Sequence, residues 1–355
     1  MSITRREFAQ VALAGAPIIG TVLQRNLAAA AVGQTPPSTS RWAGVLVGLN
    51  VPYSFGMGNN MAADDLLQRV TQVGVGSLEL RAQPVEHFLG SPTVRAAVEA
   101  AKAREASRAA GAAAPTPQQM AAGSQAGERP KPTPEQIEKA RKEAAEVRAW
   151  RLAAPTSKLK ELRQTYEKAG VAIDILKVDG LYAASPEEVD YFFQMARDLG
   201  ARAVSAELPE NRSDTKRIGA FADKHRIFMA YHHHAQPGAA AIYEALFAEA
   251  KYNAANIDIG HWTATQSASP LPFITKHADR IPHIHVKDRR LGTNGGENTP
   301  FGQGDTQIRP ILQAIRDHKW NVRPIIEFEY KVPDGSDRVS EIKKCLAYCR
   351  DALMA

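Results

Sequence analysis

Acidic and imidazole side chains recur along this chain at spacings that suit a divalent cation. Glu207, His232, Asp258 and His285 follow one another at intervals of 25, 26 and 27 residues, and Glu327 comes later. Each ends a short apolar run, in Ser205-Ala206-Glu207, Tyr231-His232-His233-His234, Asp258-Ile259-Gly260-His261, His283-Ile284-His285-Val286-Lys287-Asp288 and Glu327-Phe328-Glu329. Two earlier runs finish similarly, in Glu79 and Lys177. Carboxylates and neutral imidazoles meeting at one point suit one divalent ion of the Mn, Co, Zn, Fe or Mg kind. Alternation along a strand puts His283 with His285, and Glu327 with Glu329, on the same side. Taken singly, a strand-end Glu is often a salt-bridge partner and a His a hydrogen-bonded rim residue. The pattern persists over seven of eight runs, which points to a shared site.

The elements that must hold these residues are legible as alternating runs. Strand candidates are 45–49, 77–80, 172–178, 203–208, 227–231, 255–259, 281–286 and 324–328. Helix-period segments fall at 62–73, 157–169, 186–199, 215–224, 239–250, 270–277, 307–318 and 337–353. Ser185-Pro186-Glu187-Glu188 reads as a capping box with Pro in the first turn, and Gly170 and Gly200 stand where helices should stop. Strict strand–helix alternation implies parallel strands with right-handed crossovers, and eight such units close most simply into a (β/α)8 barrel. An open doubly wound sheet would show a glycine-rich phosphate turn after its first strand, and Asn50-Val51-Pro52-Tyr53-Ser54 is not one.

One segment breaks the rhythm. An insertion over 100–158 separates the second and third strands, and its stretch 109–132 is low in complexity. Thr133-Pro134-Glu135-Gln136 then opens a polar, charge-alternating helix that runs through Trp150. The insertion leaves the second strand on the side where strands end, so a lid over the mouth is one expectation. At the N-terminus, Arg5-Arg6, an apolar run and Ala28-Ala29-Ala30-Ala31 resemble a twin-arginine export signal over 1–31, followed by a linker over 32–41. The barrel is then expected over 42–355, and removing insertion and signal leaves a length close to the ~250 residues of such a fold.

Composition narrows the classes. Lys and Arg number 44 against 38 Asp and Glu, a scattered balance of +6 with no basic track for nucleic acid. Two cysteines, Cys345 and Cys349, are too few for a disulfide scaffold or a cysteine-built zinc site, and one helical turn is poor disulfide geometry.

Together these pieces resemble the xylose-isomerase-like barrel superfamily. It includes sugar and sugar-phosphate isomerases and epimerases such as tagatose epimerase, inosose dehydratase and, more distantly, apurinic endonucleases. The likeness spans 45–354 apart from the insertion. It is carried by Asp258-x-x-His261, His283-x-His285-Val286-Lys287-Asp288, the Phe301-Gly302-Gln303-Gly304-Asp305 turn and Glu327. Tyr231-His232-His233-His234 resembles the Tyr-His-Asn-His variant common in exported members. The resemblance implies Asp258, His285 and Glu327 as metal ligands and His261 as a substrate-binding residue beside the ion. The epimerases carry a Glu, both ligand and acid/base, where this chain has His232. The fourth ligand is therefore either His232 or Glu207.

The chemistry expected is polarisation of a sugar carbonyl by the ion, with an enediolate to follow. Glu207 or Glu327 would remove the proton. Glu79, Lys177, His234, His261, His283, Lys287 and Glu329 are the expected substrate contacts, with Lys287 equally able to pair with Asp288. Returning the proton elsewhere makes a metal-dependent isomerase or epimerase. Expelling a β-substituent makes a lyase or dehydratase on keto-glycosides or inososes, the alternative reading. Export, to the periplasm or beyond, favours a free sugar over a sugar phosphate. An endonuclease-type phosphodiesterase would need further His on early strands, and none precedes His87. A non-catalytic sugar-binding protein would have no use for the ligands. Expected partners are a small carbohydrate, the twin-arginine export machinery and, as a further option, a second copy of the chain, with no nucleic acid.

Overall fold

Strands covered by helices on one face and by each other's side chains on the other read as near-continuous apolar runs, and eight of them here close into one parallel ring. The structure, a computed structural model, describes residues 40–56, 60–109, 133–234, 236–266 and 268–355. The chain divides into Met1–Pro36 and Pro37–Ala355, and every described residue belongs to the second unit. The expected export signal, most of the linker and nearly all of the low-complexity stretch lie outside the described residues.

The ring comprises β1 (Gly48–Val51), β2 (Ser77–Arg81), β3 (Ala172–Lys177), β4 (Ala203–Glu207), β5 (Phe228–His232), β6 (Asn253–Asp258), β7 (His283–Val286) and β8 (Arg323–Ile326). Each strand is parallel to its neighbours, and β8 closes on β1 through Ile325↔Gly48 and Ile326↔Leu49. The expected (β/α)8 barrel is therefore the observed one. Helix α1 (Ala63–Val73) follows β1, and α2 (Ala82–Leu89), α3 (Pro92–Ala109), α4 (Pro134–Ala153) and α5 (Leu159–Lys168) all lie between β2 and β3. Next come α6 (Pro186–Leu199), α7 (Arg212–His225) and α8 (Ala239–Phe247), one per crossover. Helices α9 (Ile259–Gln266) and α10 (Leu271–His277) precede β7, α11 (Ile308–Asp317) precedes β8, and α12 (Arg338–Met354) ends the chain. Among the described residues no helix is long and apolar enough to cross a membrane.

Local chemistry explains the boundaries. Ser185 and Glu188 form the reciprocal capping box that opens α6, and Gly200, at φ 81°, closes it. Ile308, Ile311, Leu312 and Ile315 make the buried stripe of α11. The first strand starts later than its apolar run predicts. Val45–Leu46 pairs antiparallel with Arg41–Trp42 around Ala43 and Gly44, at φ 45° and 85°. Two positive φ values match the tight hairpin turn that suits strand twist, so the ring strand begins beyond it. The linker's end also belongs to the barrel: buried Ser40 donates from Oγ to the Val47 carbonyl (2.7 Å) and accepts from the Gly76 amide (2.8 Å).

The described half of the insertion packs against the outer ring. Helix α4 opens with the Thr133–Gln136 capping box and has no buried residue of its own. Arg151 near its end donates to Glu86 of α2 (2.7 Å) and Glu188 of α6 (2.9 Å), with its guanidinium 4.8 Å from the centre of the Phe192 ring. Arg148 adds a pair with Glu187 of α6 (2.9 Å) and Trp150 packs against the core, so one end of this polar helix carries its attachments. Its ion pairs among the described residues are with ring helices α2 and α6.

Inside the ring the side chains form layers. At the floor Asp174 accepts from Ser77 (2.6 Å) and Arg323 (2.5 Å). Above it, Ile175, Ala203, Ala230 and Ala254 make a small apolar plug. The layers above the plug are polar, and they hold the site.

Candidate metal centre at the barrel mouth

Strand ends β5, β6 and β7, and the residue just past β8, deliver His232, Asp258, His285 and Glu327. All four are buried, and one donor atom from each lies within 4.8 Å of the others. His232 Nδ1, Asp258 Oδ2 and His285 Nδ1 have no hydrogen-bond partner among the described residues. An unsatisfied buried polar group costs about 1–3 kcal/mol; of the three, His232 Nδ1 has no charged partner either, whereas Asp258 Oδ2 lies 3.0 Å from the Lys287 ammonium and His285 Nδ1 3.3 Å from Glu327 Oε2. Neutral imidazole and carboxylate lone pairs converging in this way fit a divalent cation.

The layer beneath orients these groups. Glu79, fully buried, accepts from His285 Nε2, which leaves Nδ1 facing Asp258 Oδ2 (3.8 Å) and Glu327 Oε2 (3.3 Å). Burial would raise the Glu79 carboxyl, yet His285 and His283 hold it well below the usual range. Burial likewise works against charge on His285, but Glu79 and Glu327 outweigh it and lift the imidazole to about 10, so an ion binding at Nδ1 would have to displace that proton. Asn50 donates to Glu327 Oε1 (2.7 Å), and Asn256 Nδ2 lies 3.2 Å from His285 Nε2. Neither asparagine is evident from a search for acids and imidazoles; the only signal is a polar residue inside an apolar strand.

Lys287 crosses the centre. Its ammonium lies 2.6 Å from Glu327 Oε2, 3.0 Å from Asp258 Oδ2 and 2.7 Å from Glu329 Oε2. These carboxylates raise its pKa against the opposing effect of burial. A Cβ on Gly260 would lie 2.4 Å from the Lys287 Cγ, so only glycine lets this side chain pass the start of α9. Asp288 is not its partner. That carboxylate accepts from the amides of Gly302 (2.7 Å), Gly304 (3.0 Å) and Thr306 (3.2 Å), which accounts for the glycine turn.

At the rim, Glu207 meets Lys177 Nζ (2.6 Å) and His234 Nε2 (3.0 Å) and belongs to none of the clusters able to hold an ion among the described residues. Burial would raise its carboxyl, but His234 and Lys177 bring it to about 2. The histidine run splits by alternation: His232 faces in, His233 is buried behind the sheet against Tyr243 (3.0 Å), and His234 reaches the rim. Asp258 Oδ1 accepts from the His261 amide (2.7 Å), fixing the imidazole beside the cluster. Burial, then Lys287, His234 and Arg289, lower the His261 ring to about 3, so it stays neutral. Glu329 faces the mouth, held by Tyr53 OH at Oε1 (2.7 Å).

Of the expected substrate contacts, Lys177, His234, His261, Lys287 and Glu329 therefore surround the mouth. Glu79 and His283 do not reach it. Both are 0% exposed, because strand alternation puts them one inward-facing position deeper than the ligand layer. They touch His285 and each other instead, with Glu79 Oε1 3.8 Å from His283 Nε2.

No protein-family model matches the chain, and no curated protein matches it in sequence. Solved structures do match. A xylose isomerase domain protein from Alicyclobacillus acidocaldarius subsp. acidocaldarius is 12% identical, with a TM-score of 0.54 over 88% of this chain and 100% of its own. The probable 3-DHS dehydratase AsbF, involved in petrobactin synthesis in Bacillus anthracis, is 12% identical, with a TM-score of 0.52 over 85% and 98%. The closed parallel ring and these likenesses give the chain a xylose-isomerase-like TIM-barrel fold.

Proposed function

We propose that this xylose-isomerase-like barrel is an exported, divalent-metal-dependent enzyme that isomerises or epimerises a free sugar or keto-sugar through an enediolate. The observation that carries the reading is the convergence of His232, Asp258, His285 and Glu327, with His232 Nδ1 left unpaired, beneath an open mouth lined by Lys177, His234 and His261. A divalent ion bound there would polarise the substrate carbonyl and favour loss of the adjacent proton.

The protein's own groups supply the rest. Lys287 pairs with Asp258, Glu327 and Glu329 and offsets the repulsion among these neighbouring carboxylates. His261, neutral and fixed by Asp258, offers a hydrogen bond to a substrate hydroxyl. Glu207 stands at the end of β4 and Glu327 just past β8, and strands four places apart in an eight-stranded ring are diametrically opposed. A sugar lying across the mouth therefore has a carboxylate on either side, one to remove a proton and one to return it. The resemblance of the N-terminus to a twin-arginine signal supports export and hence an unphosphorylated substrate.

A second reading, β-elimination from a keto-glycoside or inosose, is favoured by one feature. Glu207 is tied to Lys177 and His234, two groups able to donate a proton to a departing oxygen. That one fold neighbour is described as a dehydratase is consistent with this reading. Incubation with candidate keto-sugars in deuterium oxide separates the two. Carbon-bound deuterium with no loss of mass is the expected result; release of water or an aglycone supports elimination. Failure of the metal-loaded protein either to exchange a proton of, or to release a leaving group from, any candidate contradicts both.

A further inference from the structure

The opposite end of the barrel carries a second polar concavity. Arg41 precedes β1, Arg202 precedes β4, Arg316 and Lys319 precede β8, and Arg323 begins it, so all five cations lie at the N-terminal ends of the strands. They line a cavity of about 390 Å3 together with Trp320. Two carboxylates lie near and both are engaged. Asp174 accepts from Ser77 and Arg323 and lies 3.8 Å from Arg202 Nε, while Asp317 pairs with Arg316 (2.7 Å). Five positive charges against two negative leave the lining short of anions.

The shortage is sharpest at the floor. Arg202 donates through Nη1 to the backbone and side-chain oxygens of Asn321, but its Nε is buried with no hydrogen-bond partner. Burial and the neighbouring Arg323 both disfavour its charge. Lys319 sits at φ 54° in the turn before β8, where its amide donates to the Arg316 carbonyl (3.1 Å), and its ammonium has no hydrogen bond or ion pair among the described residues. Guanidinium groups held together in a concave, partly desolvated pocket are suited to a compact multivalent oxyanion, which they can bind by charge-assisted hydrogen bonds.

We propose that this basal pocket is an anion site for a phosphate-type dianion, either free inorganic phosphate or the phosphoryl group of a monoester. It is independent of the mouth, since none of its residues touches the metal cluster. The test is calorimetric titration of the chelator-treated full chain with inorganic phosphate, and separately with glycerol phosphate, against sodium chloride at matched ionic strength. Both phosphates are expected to bind at one site and chloride not to bind. Equal affinity for the two would make the free anion the ligand, and tighter glycerol phosphate would make it a monoester. The substitutions Arg316→Ala, at a half-buried position, and Lys319→Ala, at an exposed one, which spare the Arg202–Asp174–Arg323 floor, should together weaken phosphate about tenfold or more. His261→Ala should leave it unchanged. Heat equal to that of chloride, or full affinity in the double variant, overturns the assignment. So does loss of binding in His261→Ala, which would move the anion to the mouth.

Discussion

Glu79 lies below the mouth, yet it decides which nitrogen His285 offers. With Nε2 hydrogen-bonded to this carboxylate, Nδ1 is the atom turned toward Asp258 and Glu327. Carboxylate partners of this kind fix the tautomer of ligating histidines, and their loss typically costs 10–100-fold in metal affinity. Glu79→Gln should therefore weaken the bound ion about 10–100-fold in a chelator competition; an unchanged affinity would assign Glu79 a purely structural part. Glu207 is governed by different partners. Held at about 2 by His234 and Lys177, against an ordinary 4.5, its ionised form stabilises the fold above pH 4.5, and that contribution disappears as the pH falls to about 2. Glu207→Gln should thus denature more readily than the wild type at pH 6, with the two converging only below about pH 2. A gap that stays constant with pH would show that the ion pairs at the rim do not act on stability. Most of these residues were legible as types at strand ends. What could not be read was depth: Glu79 and His283 look like mouth residues in sequence, and only the ring's register places them underneath.

Helix α4 illustrates how an element with no apolar face is retained. Its capping box sets its start, but Arg151 alone bridges two buried carboxylates, Glu86 (2% exposed) and Glu188 (7%). Arg151→Ala leaves both uncompensated. Because Arg151 is itself partly solvated, a loss of about 2–3 kcal/mol is expected, below the 3–5 of a fully buried pair. Amide exchange should accelerate across α4 and leave β5 to β8 protected; protection retained in α4 would mean that its other contacts hold it. The capping boxes of α4 and α6 and the stripe of α11 were visible in sequence because each rests on a local pattern. Helices α2 and α3 were not. The first buries Ala82, Val85, Glu86 and Leu89 at helical spacing but is only eight residues long and begins directly after β2, and the second shows no apolar stripe.

The molecule as a whole turns sequence spacing into convergence. Crossovers of similar length return each strand end to one level of a closed ring, and this is why intervals of 25 to 27 residues brought His232, Asp258 and His285 together. The alternation of runs and the near-constant spacing made the barrel readable. The choice between Glu207 and His232 was not, since both occupy strand ends at compatible intervals. In the structure His232 is buried beside His285, ring centres 4.5 Å apart, whereas Glu207 is drawn to Lys177 and His234 at the rim, and this supports His232 in the proposed ligand set. The most direct test of this account is the metal content of the chelator-stripped protein after reloading with Mn, Co or Zn and dialysis. One ion per chain is expected in the wild type and in Glu207→Gln, and none in the Asp258→Ala/His285→Ala double variant. A folded double variant that keeps one tightly bound ion per chain would contradict it.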